Sequence, residues 1–321
     1  MEYKIGIGIS LALLLIVGLV LFLLLRPTGV GGPTAATTGP GFMQRITVPK
    51  LKKRVGELAS IPGGAGAGRI YKQLWRTLSR QPGQGRLLKR VRNDPNPQNN
   101  ALYRHWLSQL ELAAGKGLGV KMLRFPATVA LPSFVIHRGT PLRILTNVAA
   151  TTCASEMVDK HYKPAIRAAD ALLLLGYRLW RHTPFVRTKT IGLGAMDTAA
   201  SALQEIYGKK AVRSFAKQEA AKKLKKAVRA AGTPWMNMAK VVHVLSPNPG
   251  DLANIARHAG NRAWRIEALE YLGIMQWRVT NGGRRKAIEN LLRTYRHAPD
   301  HYVAAAARQA LHLKSNQLSS L

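Results

Sequence analysis

Lys209, Lys210, Arg213, Lys217, Lys222, Lys223, Lys225, Lys226 and Arg229 stand in one stretch whose only acid is Glu219. Cations this dense do one kind of chemistry well. They neutralise phosphates, and each neutralised phosphate releases condensed counterions. An ordinary solvated helix would intersperse both signs. A second set lies upstream: Lys50, Lys52, Lys53, Arg54, Lys72, Arg76, Arg80, Lys89, Arg90 and Arg92. There Glu57 is the one acid between Arg26 and Arg92. The two sets are the candidate nucleic-acid or anion-binding residues. Aromatic rings recur beside cations, as in Tyr71-Lys72, Trp75-Arg76, Tyr103-Arg104-His105-Trp106, Tyr177-Arg178-Leu179-Trp180-Arg181 and Trp264-Arg265. Arginine beside a ring can stack on bases. The plainer reading makes each ring a core anchor with its cation on the exposed turn, so the summed charge carries the argument.

Other chemistry finds little support. Gly64-Ala65-Gly66-Ala67-Gly68 lacks the Gly-Lys-Ser/Thr of a phosphate-binding loop, and Lys116-Gly117-Leu118-Gly119 fails the dinucleotide pattern. No Gly-x-Ser-x-Gly elbow occurs. Glu156, Asp159 and His161 lie near Cys153, but without metal-site spacing. His258 and His297 read as helix C-terminal residues, where a cation is favoured. We therefore expect no enzyme activity and no cofactor or metal.

These residues must be carried by a folded body. The chain has 49 Lys+Arg against 15 Asp+Glu, a formal net charge of +34, yet 46% of its residues are hydrophobic. That apolar share excludes a disordered basic tail. The charge argues against a free metabolic enzyme, because the excess repels itself unless something anionic neutralises it. One cysteine excludes a disulfide framework.

Ile5 to Leu25 holds no charged residue. As a helix it spans roughly 30 Å, the thickness of a hydrocarbon core. It reads as a retained single-pass anchor rather than a cleaved signal, since the run is long and no basic segment leads it. Lys4 precedes it; Arg26, Arg45, Lys50, Lys52, Lys53 and Arg54 follow. That bias places the large domain on the cytoplasmic, matrix or virion-interior side. Residues 26–68, rich in Gly and Pro, read as a flexible basic tether.

Beyond it the apolar period is helical. Ile70, Tyr71, Leu74, Trp75 and Leu78 stripe one helix, a short second runs over 85–92, and Leu102, Trp106, Leu107 and Leu110 stripe a third. Residues 125–139 read as extended or as a short strand pair, with β-prone Phe134, Val135 and Ile136. Residues 142–157 and 164–181 are helical again. Leu172–Leu175, apolar all round, reads as a buried central helix. Residues 197–231 read as one basic helix, with Val212, Phe215, Leu224 and Val228 as its apolar stripe.

Near the C-terminus the chain repeats itself at an offset of 39. Arg257-His258-Ala259 matches Arg296-His297-Ala298, and Ala268 and Leu272 match Ala307 and Leu311. Gly260-Asn261 and Pro299-Asp300 sit at the equivalent turns, with Asn261 and Asp300 as N-caps. Two helices per unit at this period resemble HEAT or armadillo repeats. The resemblance covers about the last 80 residues and implies a scaffold that presents a surface. Leu102-Tyr103-Arg104 resembles the tripeptide of the mitochondrial LYR family, where it stands near the N-terminus of a small helical bundle. Its position here, behind an apolar anchor, departs from that pattern.

The sequence thus predicts a mostly α-helical protein. A transmembrane anchor (1–25) and a tether (26–68) precede a basic helical domain (69–231) and a HEAT-like region (232–321). The expected role is structural, holding a polyanion such as nucleic acid or a nucleic-acid-containing assembly near a membrane, with other protein subunits as further partners. The rival expectation is an accessory scaffold subunit of a membrane complex, whose charge meets anionic lipid and acidic protein chains.

Overall fold

The computed structural model describes residues 51–59, 67–114, 133–183, 185–243 and 248–313. These are mostly helical, with no strand among them. The helices are α1 (Leu51–Leu58), α2 (Ala67–Ser79), α3 (Gln84–Asn93), α4 (Ala101–Ala114), α5 (Ser133–Val158), α6 (Tyr162–His182), α7 (Val186–Ile206), α8 (Phe215–His243), α9 (Pro249–His258), α10 (Arg262–Arg278), α11 (Gly282–Tyr295) and α12 (His301–His312). Among the described residues no helix is long and apolar enough to cross a membrane. Ile5–Leu25, where the anchor is expected, lies outside them.

The α6 helix is the axis of the first bundle. Every residue from Ala171 to Trp180 is buried. A helix apolar all round needs neighbours all round, and α6 has them in α1, α4, α5 and α7. Its tightest partner is α7, because both helices carry glycine at the crossing. A Cβ on Gly176 would stand 2.7 Å from the Gly192 carbonyl oxygen, and one on Gly192 would stand 2.6 Å from that of Gly176. Arg178, which the sequence places on an exposed turn, is instead 0% exposed. It donates to the Tyr71 hydroxyl and, at 3.0 Å, to the Ala113 carbonyl. That pair of bonds ties α2 and α4 to α6.

Three elements differ from the sequence expectation. Leu51–Leu58, read as tether, is helical. Leu51, Val55 and Leu58 fall at i, i+4 and i+7, are buried, and dock α1 on α8 and α6. Eight residues cannot hold a helix alone, so tertiary contact supplies what the Gly/Pro-rich surroundings hid. The β-prone Phe134, Val135 and Ile136 open α5 instead of a strand. The same helix goes on to bury Leu142, Leu145, Val148, Ala149 and Cys153 at helical spacing, and packing overrides local propensity. Residues 125–132 lie outside the described residues.

The stretch 197–231 is two helices rather than one. The α7 helix ends at Ile206, a 3-10 turn follows at Lys210–Val212, and α8 starts at Phe215. The Ser214 amide donates to the Tyr207 carbonyl at 3.1 Å, closing the turn. The reversal lets Leu203 and Ile206 of α7 and Leu224 and Val228 of α8 share one core. The α8 helix then runs on across 231 and 232 to His243.

The offset-39 repeat forms two stacked helical hairpins, α9–α10 and α11–α12, with α10 packed on α9, α11 and α12. Both expected N-caps are made. Asn261 accepts from the Ala263 amide, and Asp300 from those of Tyr302 and Val303. The equivalent carbonyls of Arg257 and Arg296 each accept from an arginine of the following helix, Arg265 and Arg308. The α10 and α12 helices touch at Gly273, where a Cβ would stand 2.7 Å from that of Ala310.

Candidate anion-binding surface

The α8 helix is amphipathic by charge. Ala221, Leu224, Val228 and Ala231 are buried, at the i, i+3, i+7 and i+10 spacing of one face. Lys222, Lys223, Lys226 and Arg229 point away from it and are exposed, with Lys225 half-buried at the flank. The α1 helix, which docks on α8, carries exposed Lys52 and Lys53 and half-buried Arg54. The structure so joins two candidate segments that lie far apart in sequence. Lys50 falls outside the described residues.

Counter-charges within the chain are sparse. Arg54 pairs with Glu57 at 3.1 Å, Lys209 with Glu205 at 3.1 Å, Lys222 with Glu219 at 3.5 Å, and Arg229 with Asp197 at 3.2 Å. Both partners of the first three are substantially exposed, so each pair is weak and exchanges readily for another anion. Lys52, Lys53, Lys210, Lys223, Lys225 and Lys226 have no carboxylate partner among the described residues.

Lys217 belongs elsewhere. It is half-buried, donates to the Tyr207 hydroxyl at 3.3 Å and lies 5.2 Å over that ring. It also faces Asp170, whose carboxyl burial pushes up to about 7 while Lys217 draws it down. One Asp170 carboxylate oxygen is buried with no hydrogen-bond partner. The folded state thus holds the proton better than the unfolded one. Stability present below the ordinary carboxylate range is lost as pH rises through about 7. Asp170→Asn is expected to match the wild type at pH ~4 and to exceed it at pH ~8 by on the order of 2 kcal/mol in urea unfolding. Equal gains at both pH values would refute the assignment.

The remaining candidates form a separate set. Arg76 is exposed on α2 and Arg80 just past its end, Lys89 and Arg90 are exposed on α3, and Arg92 is half-buried there. Lys72 lies on α2. These helices pack mainly on α4 and α5, whereas α1 packs mainly on α8. The basic residues thus make two patches.

Most rings beside cations are core. Tyr71, Tyr103, Trp106, Tyr177, Trp180 and Trp264 are buried. Two aromatics break the rule. Phe215, expected in the apolar stripe of α8, is 65% exposed, and Trp277 is 38% exposed. Arg213 lies 4.6 Å over the Phe215 ring and Arg285 lies 4.6 Å over the Trp277 ring. Arg278, next to Trp277 in the chain, and Arg284, Arg285 and Lys286 at the start of α11 are all exposed, a basic cluster outside the sequence candidates. Its signal was there in the chain. Asn281-Gly282-Gly283 opens a helix, and three cations in the following turn oppose its dipole.

No known protein family matches this chain, and neither a curated protein nor a solved structure does.

The other groups weighed for chemistry are held in structural contacts. His161 Nδ1 lies 3.0 Å from Glu156, and Gln98 donates to Asp159 at 3.2 Å and accepts from Ser155 at 2.6 Å. Burial pushes the Cys153 thiol up to about 12, with Glu205, Asp170 and Glu156 adding to the effect. No group of three metal-type ligands occurs among the described residues. In the LYR tripeptide Tyr103 is buried and stacked on Trp106 at 5.9 Å, while Leu102 and Arg104 are exposed.

Proposed function

We propose that this protein is a membrane-tethered, non-enzymatic structural protein whose cationic helical body holds a polyanion, nucleic acid or a nucleic-acid-containing assembly, close to a membrane. The observation that carries the proposal is the row of exposed cations on α8, with further exposed lysines on the contacting helix α1, most of which have no carboxylate partner among the described residues. Positive charge that the fold leaves uncompensated costs self-repulsion, and an external polyanion removes that cost. The apolar run Ile5–Leu25 supplies the anchor, and the charge bias places the body on the cytoplasmic, matrix or virion-interior side. The two C-terminal hairpins, resembling HEAT repeats, present a further surface to partner subunits.

The mechanism is counterion release at phosphates, largely independent of base sequence. The test is a binding titration of the full chain in detergent against a fluorescent nucleic acid at several salt concentrations. The reading predicts a linear fall of log affinity with log salt, on the order of a thousandfold between about 50 and 200 mM. A flat salt profile would refute it.

A further inference from the structure

We infer that Phe215, with Arg213 stacked on it, and Trp277, with Arg285 stacked on it, are platforms for unpaired bases, so that the polyanion held is single-stranded nucleic acid. This rests on the polyanion reading and goes one step further, to the class of nucleic acid.

Phe215 starts α8, and nine residues separate it from the buried Leu224. At 3.6 residues per turn that is half a revolution, so the ring faces away from the core. The same periodicity puts Phe215 in line with Lys222, Lys226 and Arg229, at i, i+7, i+11 and i+14. The ring heads the stripe of exposed cations. These three cations recur about every 5 Å along the axis. A flexible single strand adjusts its phosphates to such a row while one of its bases reaches the ring. In a duplex the base faces are buried in their own stack, and a side chain at the groove surface cannot reach them.

The arrangement recurs at a second place. Among the described residues, Phe215 and Trp277 are the exposed Phe and Trp side chains. Each has a guanidinium 4.6 Å from the ring centroid, and each stands among cations on a different part of the fold. The guanidinium lies over the ring, and the exposed area that remains, larger on Phe215 than on Trp277, whose indole N–H donates to the Leu313 carbonyl at 2.9 Å, is what a planar ligand would cover. The guanidinium also weighs against insertion into a bilayer, because sinking the ring among acyl chains would dehydrate the charge stacked on it.

The experiment compares full-length wild type, Phe215→Ala and Phe215→Leu in detergent. Binding is read by fluorescence anisotropy to a labelled single strand, to a duplex of the same sequence and to inorganic polyphosphate. Light scattering reads binding to anionic vesicles. Phe215 is exposed, so circular dichroism and thermal midpoints should be unchanged. Both variants are expected to lose roughly tenfold in affinity for the single strand, with duplex and polyphosphate affinities and the salt slope unchanged. Trp277→Leu should repeat the pattern. Equal loss on all ligands, no loss on the single strand, or a loss confined to vesicles would overturn the inference. Wild-type binding to duplex and polyphosphate reports on the underlying polyanion reading by itself, so retained binding there with no effect of Phe215 sinks only the stacking step. Absence of any wild-type binding sinks both.

Discussion

Replacing Lys222, Lys223, Lys225 and Lys226 together by glutamine is expected to lower nucleic-acid affinity on the order of a thousandfold at ~50 mM salt, while leaving the fold intact. Three of the four side chains are exposed and Lys225 is half-buried. Lys223, Lys225 and Lys226 have no carboxylate partner among the described residues, and Lys222 reaches Glu219 at 3.5 Å. Glutamine keeps the helical preference and much of the side-chain length. Removing four like charges from one helix also relieves repulsion, so the thermal midpoint should hold or rise. Each phosphate contact contributes about 0.7 (single strand) to 0.9 (duplex) to the slope of log affinity against log salt. The variant should then show a slope smaller by about 3 to 4 if each lysine meets one phosphate. Unchanged affinity would mean that α8 is not the surface in contact, and would shift attention to the α2–α3 patch.

Gly192→Ala carries the largest expected effect on stability. The added methyl would stand 2.6 Å from the Gly176 carbonyl oxygen and 2.7 Å from the Trp180 amide nitrogen. Both are backbone atoms, so no side chain can swing aside, and α6 and α7 must separate along the most extensive contact of the bundle. Overpacking of this kind costs ~3 kcal/mol or more, a drop of about 10 °C in the thermal midpoint for a domain of this size. Gly194→Ala is the matched control. It lies two residues on in the same helix, and a Cβ there meets nothing within 4 Å. It should stabilise slightly, by roughly 0.5–1 kcal/mol, through helix propensity. Equal midpoints for the two variants would refute the close α6–α7 crossing.

The contrast between these sites shows what is legible in a chain of this kind. Periodicity located α6 and its buried Leu172–Leu175, the N-caps Asn261 and Asp300, and the two hairpins, because each depends on spacing within one element. It failed where long-range contact decides. The α1 helix has three apolar residues in a glycine-rich neighbourhood, and contact with α8 and α6 makes it a helix. Phe215 reads as part of an apolar stripe with Leu224 and Val228, but in one continuous helix it lies half a revolution from Leu224, and the ring points outward. Arg178 reads like every other cation beside a ring until α2 and α4 close over it. The charged surface followed the same rule. Each basic segment was visible, Arg284-Arg285-Lys286 included, whereas the contact of α1 with α8 and the seating of Arg285 over Trp277 arise only in three dimensions.

The most direct measurement is to isolate the full chain from its native source in mild detergent and identify what accompanies it, with and without nuclease. The account predicts that nucleic acid co-purifies and that the retained material is lost when nuclease is added. Protein partners that stay bound after complete nuclease digestion, with no nucleic acid recovered beforehand, would contradict it and leave the surplus charge to anionic lipid and acidic chains.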